Sequence, residues 1–242
     1  MNIRFIYLNV PFWRAEIGRI ALHMGNIEFE DLRITREEFM SVRETGQLND
    51  GTKIPFHQLP CLNVDGISIC QTGGISRFCG KKSDLYPKDN AIDAALVDQI
   101  IDMASDITDL ISNSNLLARK MKFSGSESEK MEISDSDTEE KNRKFVREEL
   151  FHGALSRKIS FLEKILSGKE DDWFVGNKIS IADLAIWRLL GWLTSGMIDY
   201  FPTDWMKNYP NLDRICLNVS DNTKVKEWVK MTYPENYSLG KF

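Results

Sequence analysis

The spacing of hydrophobic positions changes once along this chain and divides it into two parts. Up to about residue 82, short apolar runs alternate with segments of helical spacing, which predicts strands and helices in turn. From about residue 89 the apolar residues keep only the 3.6-residue period of amphipathic helices. We therefore predict a domain of mixed structure over residues 1–82, a polar linker, and an all-helical domain over residues 89–242.

The first part predicts the element order β-α-β-α-β-β-α. Strands are expected over Ile3–Tyr7 and Ile27–Leu32, with a helix after each of them. Asp65-Gly66, set between two short apolar runs, is a strong hairpin signal, and a closing helix opens at Gln71-Thr72. Parallel strands joined by helices and followed by a hairpin are the order of a thioredoxin-like domain. The predicted fold class is an α+β thioredoxin-like domain followed by an all-α domain.

Three longer helices are expected in the second part. The first runs from about Asn90 toward Leu117, and the second covers Phe145–Leu166. A third opens at Ser180, where Asp183 supplies a capping-box variant. Short helices are expected after three later turn residues, namely Pro202, Pro210 and Asp221.

An acidic stretch separates the first two of these helices. Residues 124–140 carry seven acidic residues and five serines. This composition cannot bury enough apolar surface to offset the entropy lost on ordering, so we predict a flexible insertion. Two interpretations stay open: a solvated loop without a function, or a phosphorylation or partner-binding segment that uses Ser134, Ser136 and Thr138.

Charge and cysteine content narrow the class of protein. A net charge of −5 lacks the basic surface of a nucleic-acid binder, and no apolar run approaches the ~20 residues that cross a bilayer. The chain enters a strand pattern at once, without the pattern of a signal peptide. Its four cysteines form no C-x-x-C pair and no metal-ligand spacing. We expect a cytoplasmic protein with free thiols and with no metal, nucleic-acid or membrane partner. Cys61 and Cys70 fall at apolar strand positions and are expected to be buried.

Tyr7 is the first candidate for chemistry. It would stand at the C-terminal end of a parallel strand beside the next helix, where open α/β sheets bind ligands. A tyrosine hydroxyl there can donate a hydrogen bond to a thiolate, and each unit by which the thiol pKa falls is worth about 1.36 kcal/mol. Gln71-Thr72 would place a hydroxyl and backbone N–H groups at a helix N-terminus, where a carboxylate binds well.

Four motifs carry a family resemblance. The first is Tyr7-Leu8-Asn9-Val10-Pro11-Phe12-Trp13-Arg14-Ala15-Glu16. The others are Pro55-Phe56-x-Gln58-Leu59-Pro60, then Val64-Asp65-Gly66 with Gln71-Thr72-x-x-Ile75-x-Arg77, and last Gly176-Asn177-Lys178-x-Ser180-x-Ala182-Asp183. In this order the chain resembles the Tyr-type glutathione transferases, most closely the sigma class. The resemblance covers the chain apart from the acidic stretch and the enlarged loop over residues 44–54.

The resemblance implies an enzyme that joins the thiolate of glutathione, its substrate, to a small apolar electrophile without a metal. Tyr7 would activate the sulfur, and Leu59 would pair with the cysteinyl backbone through the loop that Pro60 holds. Asp106, on the first long helix, would reach glutathione bound to the other subunit of a homodimer.

The remaining implied contacts surround glutathione. The resemblance places Gln71 and Thr72 at the γ-glutamyl carboxylate, Gln58 and Arg43 near the glycyl end, Phe39 where a tryptophan is usual, and Arg14 as a brace of the site. Two departures alter the pattern: the opening motif has one added residue and no glycine, and the loop over residues 44–54 is long.

Three alternatives stay open. A glutathione-dependent isomerase or peroxidase would use the same site. A non-catalytic carrier or crystallin-like protein would keep only the fold, and it would not need Tyr7, Gln71-Thr72 and Asp106 together. A thiol–disulfide oxidoreductase is disfavoured because no cysteine lies over residues 9–14.

Overall fold

Four strands and three helices form the first part of the chain. The structure is a computed structural model that describes residues 1–121, 135–169 and 171–242, with side chains from residue 138 in the second range. The strands are β1 (Ile3–Leu8), β2 (Glu30–Ile34), β3 (Cys61–Val64) and β4 (Ile67–Cys70). The helices are α1 (Trp13–Met24), α2 (Arg36–Thr45) and α3 (Thr72–Ser83). This is the predicted element order.

The strands form one mixed sheet in the order β2-β1-β3-β4. β1 and β2 are parallel, with Tyr7 opposite Arg33, and β3 is antiparallel to both β1 and β4. Asp65 and Gly66 both have positive φ in the turn between β3 and β4, which confirms the predicted hairpin. The parallel pairing brings the C-terminal end of β1 to the start of α1.

The sheet separates a large core from a small one, and the alternation of side chains along β1 decides which residue enters which core. Ile3, Phe5 and Tyr7 belong to the large core with α1 and most of the helical part. Ile6 and Cys61 pack on the other face with α2. Tyr7 therefore points to the side of the sheet that carries α1.

Helices alone follow in the second part. They are α4 (Ala91–Lys120), α5 (Asp135–Leu150), α6 (Ser156–Leu166), α7 (Ile181–Thr194), α8 (Pro210–Asp221) and α9 (Thr223–Thr232). A π-helical turn at Phe151–Leu155 joins α5 to α6, and a 3₁₀ turn covers Trp205–Asn208. Every strand of the described residues precedes Gln71, so the predicted fold class is confirmed. Within the same residues no helix is long and apolar enough to span a bilayer.

Buried tryptophans attach α1 to the helical part. Trp13 at the start of α1 is fully buried and donates its Nε1–H to the Thr108 hydroxyl of α4 at 2.8 Å. Trp228 of α9 donates its Nε1–H to the buried Glu16 carboxylate of α1, also at 2.8 Å. Because both bonds are buried, they set the position of α1, and with it one wall of the site described below.

The second strand begins three residues later than predicted. Its N-terminal part was expected at Ile27, but the Ile27 N–H bonds to the Leu22 carbonyl and completes the C-terminal turn of α1. Asn26 supplies the left-handed residue of that turn, with φ +50°. Ile27 therefore completes the end of α1, and the strand starts only at Glu30.

The second long helix begins at Asp135, well before the predicted Phe145. Residues 135–140 were part of the predicted flexible insertion, and this part of the prediction is wrong. Tertiary contacts order the segment: Glu139 pairs with Arg119 at 3.1 Å, and Asn142 donates to the Ala118 carbonyl at the end of α4. The rest of the predicted insertion, residues 124–134, lies outside the described residues.

Candidate functional site

A cavity of about 570 Å³ opens between the hairpin side of the first domain and helix α4. This volume lies within the range typical of small-molecule sites. The loop before β3, the start of α3, the start of α1 and one face of α4 form its walls. The lining residues are Arg14, Phe56, Gln58, Leu59, Pro60, Cys70, Gln71, Thr72, Gly73, Gly74, Arg77, Asp102, Ser105 and Asp109.

The N-terminus of α3 is open toward this cavity. Gln71 precedes the helix with φ +74° and its side chain caps no backbone N–H. The first-turn N–H groups of a helix need an acceptor, and the helix dipole favours an anion there. Thr72 is buried, and its hydroxyl has no hydrogen-bond partner among the described residues. Thr72 and Gly73 thus present unused donors at the positive end of a helix, which suits a carboxylate.

The loop before β3 forms the next wall. The Leu59–Pro60 peptide bond is cis. Leu59 is half-buried and Gln58 is exposed, and both line the cavity. The loop also brings the Phe56 N–H to the Cys70 sulfur.

Arg14 supplies a positive charge on the α1 side. It is one residue into α1, and its guanidinium lies over the Trp13 ring at 5.1 Å. Its Nη2 also pairs with the Asp109 carboxylate of α4 at 3.0 Å. The cavity wall between the two domains therefore contains an ion pair contributed by both of them.

The α3 and α4 walls carry further charges. Arg77 of α3 pairs with Asp98 at 2.7 Å and lies 3.9 Å from Asp102, which lines the cavity. Together with Arg14 and Asp109, this gives the cavity two arginines and two carboxylates. Such a wall matches a small zwitterion better than an apolar ligand.

Tyr7 does not line the cavity. It is 8% exposed and packs in the large core, with the Arg19 guanidinium 5.7 Å from the centre of its ring. Burial raises the pKa of Tyr7 to about 12, against the opposing effect of the charges on Arg14 and Arg19. The hydroxyl is therefore protonated at neutral pH and can act only as a neutral donor or acceptor.

Three other predicted residues also lie outside the cavity wall. Phe39 packs against the small core beside α2, and Arg43 is exposed on the same helix. Asp106 pairs with Lys158 of α6 at 2.8 Å. The structure thus brings together six predicted residues, and leaves Tyr7, Phe39, Arg43 and Asp106 outside this wall. The six are Arg14, Gln58, Leu59, Pro60, Gln71 and Thr72.

Sequence reasoning missed the α4 face and Cys70. Asp102, Ser105 and Asp109 line the cavity from one stripe of α4, and their spacing of three and four residues was a usable signal. Cys61 is fully buried as expected, but Cys70 is only half-buried and lines the cavity. The prediction was wrong for Cys70 because its strand lies at the edge of the sheet, where the cavity opens.

Comparisons with known proteins agree with the fold. The family model of the glutathione S-transferase C-terminal domain matches residues 130–232. Glutathione S-transferase 3 of Caenorhabditis elegans is 26% identical over 216 residues, which are 89% of this chain and 89% of that protein. Hematopoietic prostaglandin D synthase of Mus musculus is 28% identical over 205 residues, 83% of this chain and 85% of that protein.

A solved structure shows the same fold. Prostaglandin synthase D of Nilaparvata lugens superimposes with a TM-score of 0.72 at 23% identity, over 97% of this chain and 99% of that chain. The similar proteins are named either glutathione S-transferase or prostaglandin D synthase. Assignment of this chain to the sigma class therefore stays a prediction. The mixed sheet followed by helices, the family model over residues 130–232 and the curated relatives together make the chain similar to the glutathione transferases in sequence and in fold.

Proposed function

We propose that this protein is an enzyme that transfers the thiolate of glutathione to small electrophiles. The observation that carries the proposal is the buried Thr72 hydroxyl, which has no partner among the described residues and stands at the open N-terminus of α3 in the cavity. Glutathione has a γ-glutamyl carboxylate that would accept from this hydroxyl and from the α3 N–H groups. The C. elegans relative is named a glutathione S-transferase.

The remaining walls suit the rest of glutathione. Leu59 and Gln58 both line the cavity, so that Leu59 would offer its backbone to the cysteinyl part and Gln58 its side chain to the glycyl end. Asp102 offers a carboxylate for the γ-glutamyl ammonium group. A ligand held at these two ends has its sulfur between them, toward Arg14.

Arg14 is the proposed thiolate stabiliser that the cavity wall supplies, and Tyr7, which lies outside that wall, is the stabiliser that the family resemblance implies. A free thiol with a pKa near 8.5 is mostly protonated at pH 7, and the thiolate is the nucleophile. Tyr7 has a protonated hydroxyl at neutral pH, and Arg14 adds a positive charge on the cavity wall. Both effects favour the thiolate, and together about 2–3 kcal/mol would make it the main form.

A glutathione-dependent isomerase is the second candidate function. The mouse relative is named a prostaglandin D synthase. An isomerase would use the same glutathione site and the same activated thiolate, and it would differ only in the fate of the adduct. Product analysis with and without net consumption of glutathione separates the two reactions.

We infer that the protein acts as a homodimer in the cytoplasm. The first turns of α4 expose Ile92 and Leu96 to solvent, and β4 exposes Ile67. Asp106, which lies outside its own cavity wall, is available to a partner's glutathione if its pair with Lys158 opens. All four cysteines are free thiols, which is typical of a reducing compartment.

The experiment that tests the function compares Thr72→Val with Ser76→Ala. Ser76 is a matched control because its hydroxyl is also buried on α3 and has no hydrogen-bond partner in the described part of the chain, but it does not line the cavity. A hydrogen bond to a charged group is worth about 1.5–3 kcal/mol, so Thr72→Val should weaken glutathione binding about 10- to 100-fold. Ser76→Ala should leave it unchanged.

Calorimetric titration with glutathione and a conjugation assay on an aryl halide supply the readouts. Wild-type protein that neither binds glutathione at millimolar concentration nor conjugates it would refute the proposal. Equal losses in the two variants would assign the Thr72 effect to folding rather than to the site.

A further inference from the structure

A second cavity, of about 300 Å³, lies next to the first one, toward the C-terminal end of helix α4. Helices α4, α5 and α7 and the loop after α7 form its walls. It contains three arginines, Arg119, Arg143 and Arg147, and two carboxylates, Glu139 and Asp199. Apolar side chains complete the wall, among them Ile111, Trp192 and Ile198.

Arg147 is buried in this wall without a counter-ion in hydrogen-bond contact. The residue is 7% exposed, yet its Nε and Nη1 have no hydrogen-bond partner within the described part of the chain. Its Nη2 donates to the Asn115 side chain at 3.0 Å, and its guanidinium lies 5.5 Å from the centre of the Phe201 ring. A buried charge costs free energy unless it is paired. Two donors of a planar guanidinium are thus left for an anion.

Arg143 adds a second unused donor. It precedes Arg147 by one helical turn on α5, and its buried Nε has no hydrogen-bond partner either. The carboxylate that faces it, Asp199, is 3.9 Å away, beyond hydrogen-bond distance. Arg119 differs, because it already pairs with Glu139 at 3.1 Å. The wall therefore has a net positive charge centred on Arg143 and Arg147.

The two cavities share one face of α4. Asp109 lines the first cavity, and Ser112 and Asn115 line the second. Asp109 and Asn115 are six residues apart, which corresponds to about 9 Å along the helix axis. Phe12, in the loop that follows Tyr7, packs edge-on against Trp192 of the second cavity with ring centres 5.0 Å apart.

We propose that the second cavity binds the carboxylate end of the electrophilic substrate. Arg147 and Arg143 hold the carboxylate, while Ile111 and Trp192 contact an apolar chain. The electrophile is thus an amphipathic organic acid that spans the two adjoining cavities, with its carboxylate in the second one. This inference rests on the proposed function and replaces the small apolar electrophile with an acid-bearing one.

Direct binding tests the acid site without glutathione. The probes are octanoate and octan-1-ol, which match in chain length and differ in charge, and calorimetry on the full chain measures both. Octanoate should bind more than about 10-fold tighter than octanol. Arg147→Met should weaken octanoate about 30-fold and Arg143→Gln about 10-fold, while octanol affinity stays within about two-fold.

Lys144→Gln is the control on the same helix. Lys144 is exposed on α5, does not line the second cavity and contacts Glu148 at 4.0 Å, so the variant should bind octanoate like the wild type. Arg147→Met should also keep the wild-type melting temperature, because it removes an unpaired buried cation. If Arg147→Met unfolds the protein, the octanoate affinity of Arg143→Gln alone decides the test, because Arg143 is half-exposed and its replacement should not affect folding.

The link to catalysis is tested with an enone that carries a terminal carboxylate and with its methyl ester. Conjugation of the acid should show a KM about 10-fold lower than that of the ester, and Arg143→Gln should remove this difference. Equal binding of octanoate and octanol, or no saturable octanoate binding, would overturn the acid site. Glutathione affinity measured in the same variants reports separately on the proposed function.

Discussion

At the scale of single residues, the structure defines the protonation state and the burial of Tyr7. It packs in the large core outside the cavity wall, and burial raises its pKa to about 12, which keeps the hydroxyl protonated at neutral pH. Tyr7→Phe should leave the glutathione Kd nearly unchanged and lower kcat about 100-fold, since general acid–base groups contribute roughly 10²–10⁴. Stopped-flow titration of the bound thiol should show its pKa rising in the variant.

Arg14 is the alternative stabiliser, and Arg14→Gln is the matching variant. An unchanged kcat in Tyr7→Phe together with a large loss in Arg14→Gln would assign activation of the thiol to the guanidinium. Asn9 and Trp13 are poorer candidates, because Asn9 accepts from Arg33 and the Trp13 N–H is already bonded to Thr108.

Cys70 is the second residue with a measurable pH dependence. A hydrogen bond from the neighbouring Cys61 thiol and one from the Phe56 N–H lower its pKa to about 7, against the effect of burial. Its alkylation rate should therefore reach half its maximum near pH 7, about 1.5 units below an ordinary thiol. Glutathione should slow the reaction because Cys70 lines the cavity.

Mass spectrometry of iodoacetamide-treated protein locates the modified thiol. Cys61, Cys79 and Cys216 should stay unmodified in the native state, since burial contributes to a raised pKa in each of them. Labelling at Cys216 before Cys70 would show that local opening, rather than thiol pKa, decides reactivity.

At the scale of elements, α7 and α2 both begin with a capping box. The capping box of α7 is buried and that of α2 is exposed, so the two can be compared. The Asp183 carboxylate is fully buried and accepts from the Phe174 N–H, the Ser180 N–H and the Ser180 hydroxyl. Asp183→Asn should cost about 2–4 kcal/mol of unfolding free energy, because a buried donor loses its acceptor. The exposed cap Thr35→Ala should cost about 1 kcal/mol.

The pH dependence of the α7 cap has a defined sign. Burial raises the pKa of Asp183 to about 6, above the ordinary aspartate value of about 3.9. The native state therefore binds this proton more tightly, and the stability from this group falls as the pH rises through 6. The difference in unfolding free energy between wild type and Asp183→Asn, measured by urea unfolding, should become smaller from pH 5 to pH 7.5. A difference that grows over this range would contradict the raised pKa.

At the scale of the whole molecule, the exposed apolar start of α4 predicts the oligomeric state. Ile92 is 72% exposed and Leu96 is 37% exposed, and a two-fold contact is the commonest way to bury such a surface. The double variant Ile92→Lys, Leu96→Lys should sediment as a monomer at micromolar concentration, where we expect the wild type to be a dimer. Its glutathione affinity should also fall if Asp106 of each subunit serves the other one.

Met231→Lys is the control for this prediction. Met231 is 70% exposed on α9, outside the proposed contact, so the variant should remain dimeric. A wild-type monomer that binds and conjugates glutathione normally would remove both the dimer and the shared role of Asp106.

The sequence alone determined the features that depend on neighbouring residues. The hairpin at Asp65-Gly66, the capping box of Ser180 and Asp183, and the switch from mixed to helical periodicity all use short-range conformational preferences. The motif order also identified the loop at Pro60 and the start of α3, since these site residues are close together in the chain.

Only the tertiary structure decided which surfaces meet. The α4 stripe that carries Asp109 faces the first cavity because Trp13 bonds to Thr108 and sets the docking of α1 on α4. Packing of α5 on α4 likewise stabilises residues 138–140 as helix. The same packing leaves Arg147 buried without a hydrogen-bonded counter-ion among the described residues. The physical reason is that periodicity tells which face of a helix is apolar, whereas its neighbour and the charges it meets depend on contacts between residues distant in sequence.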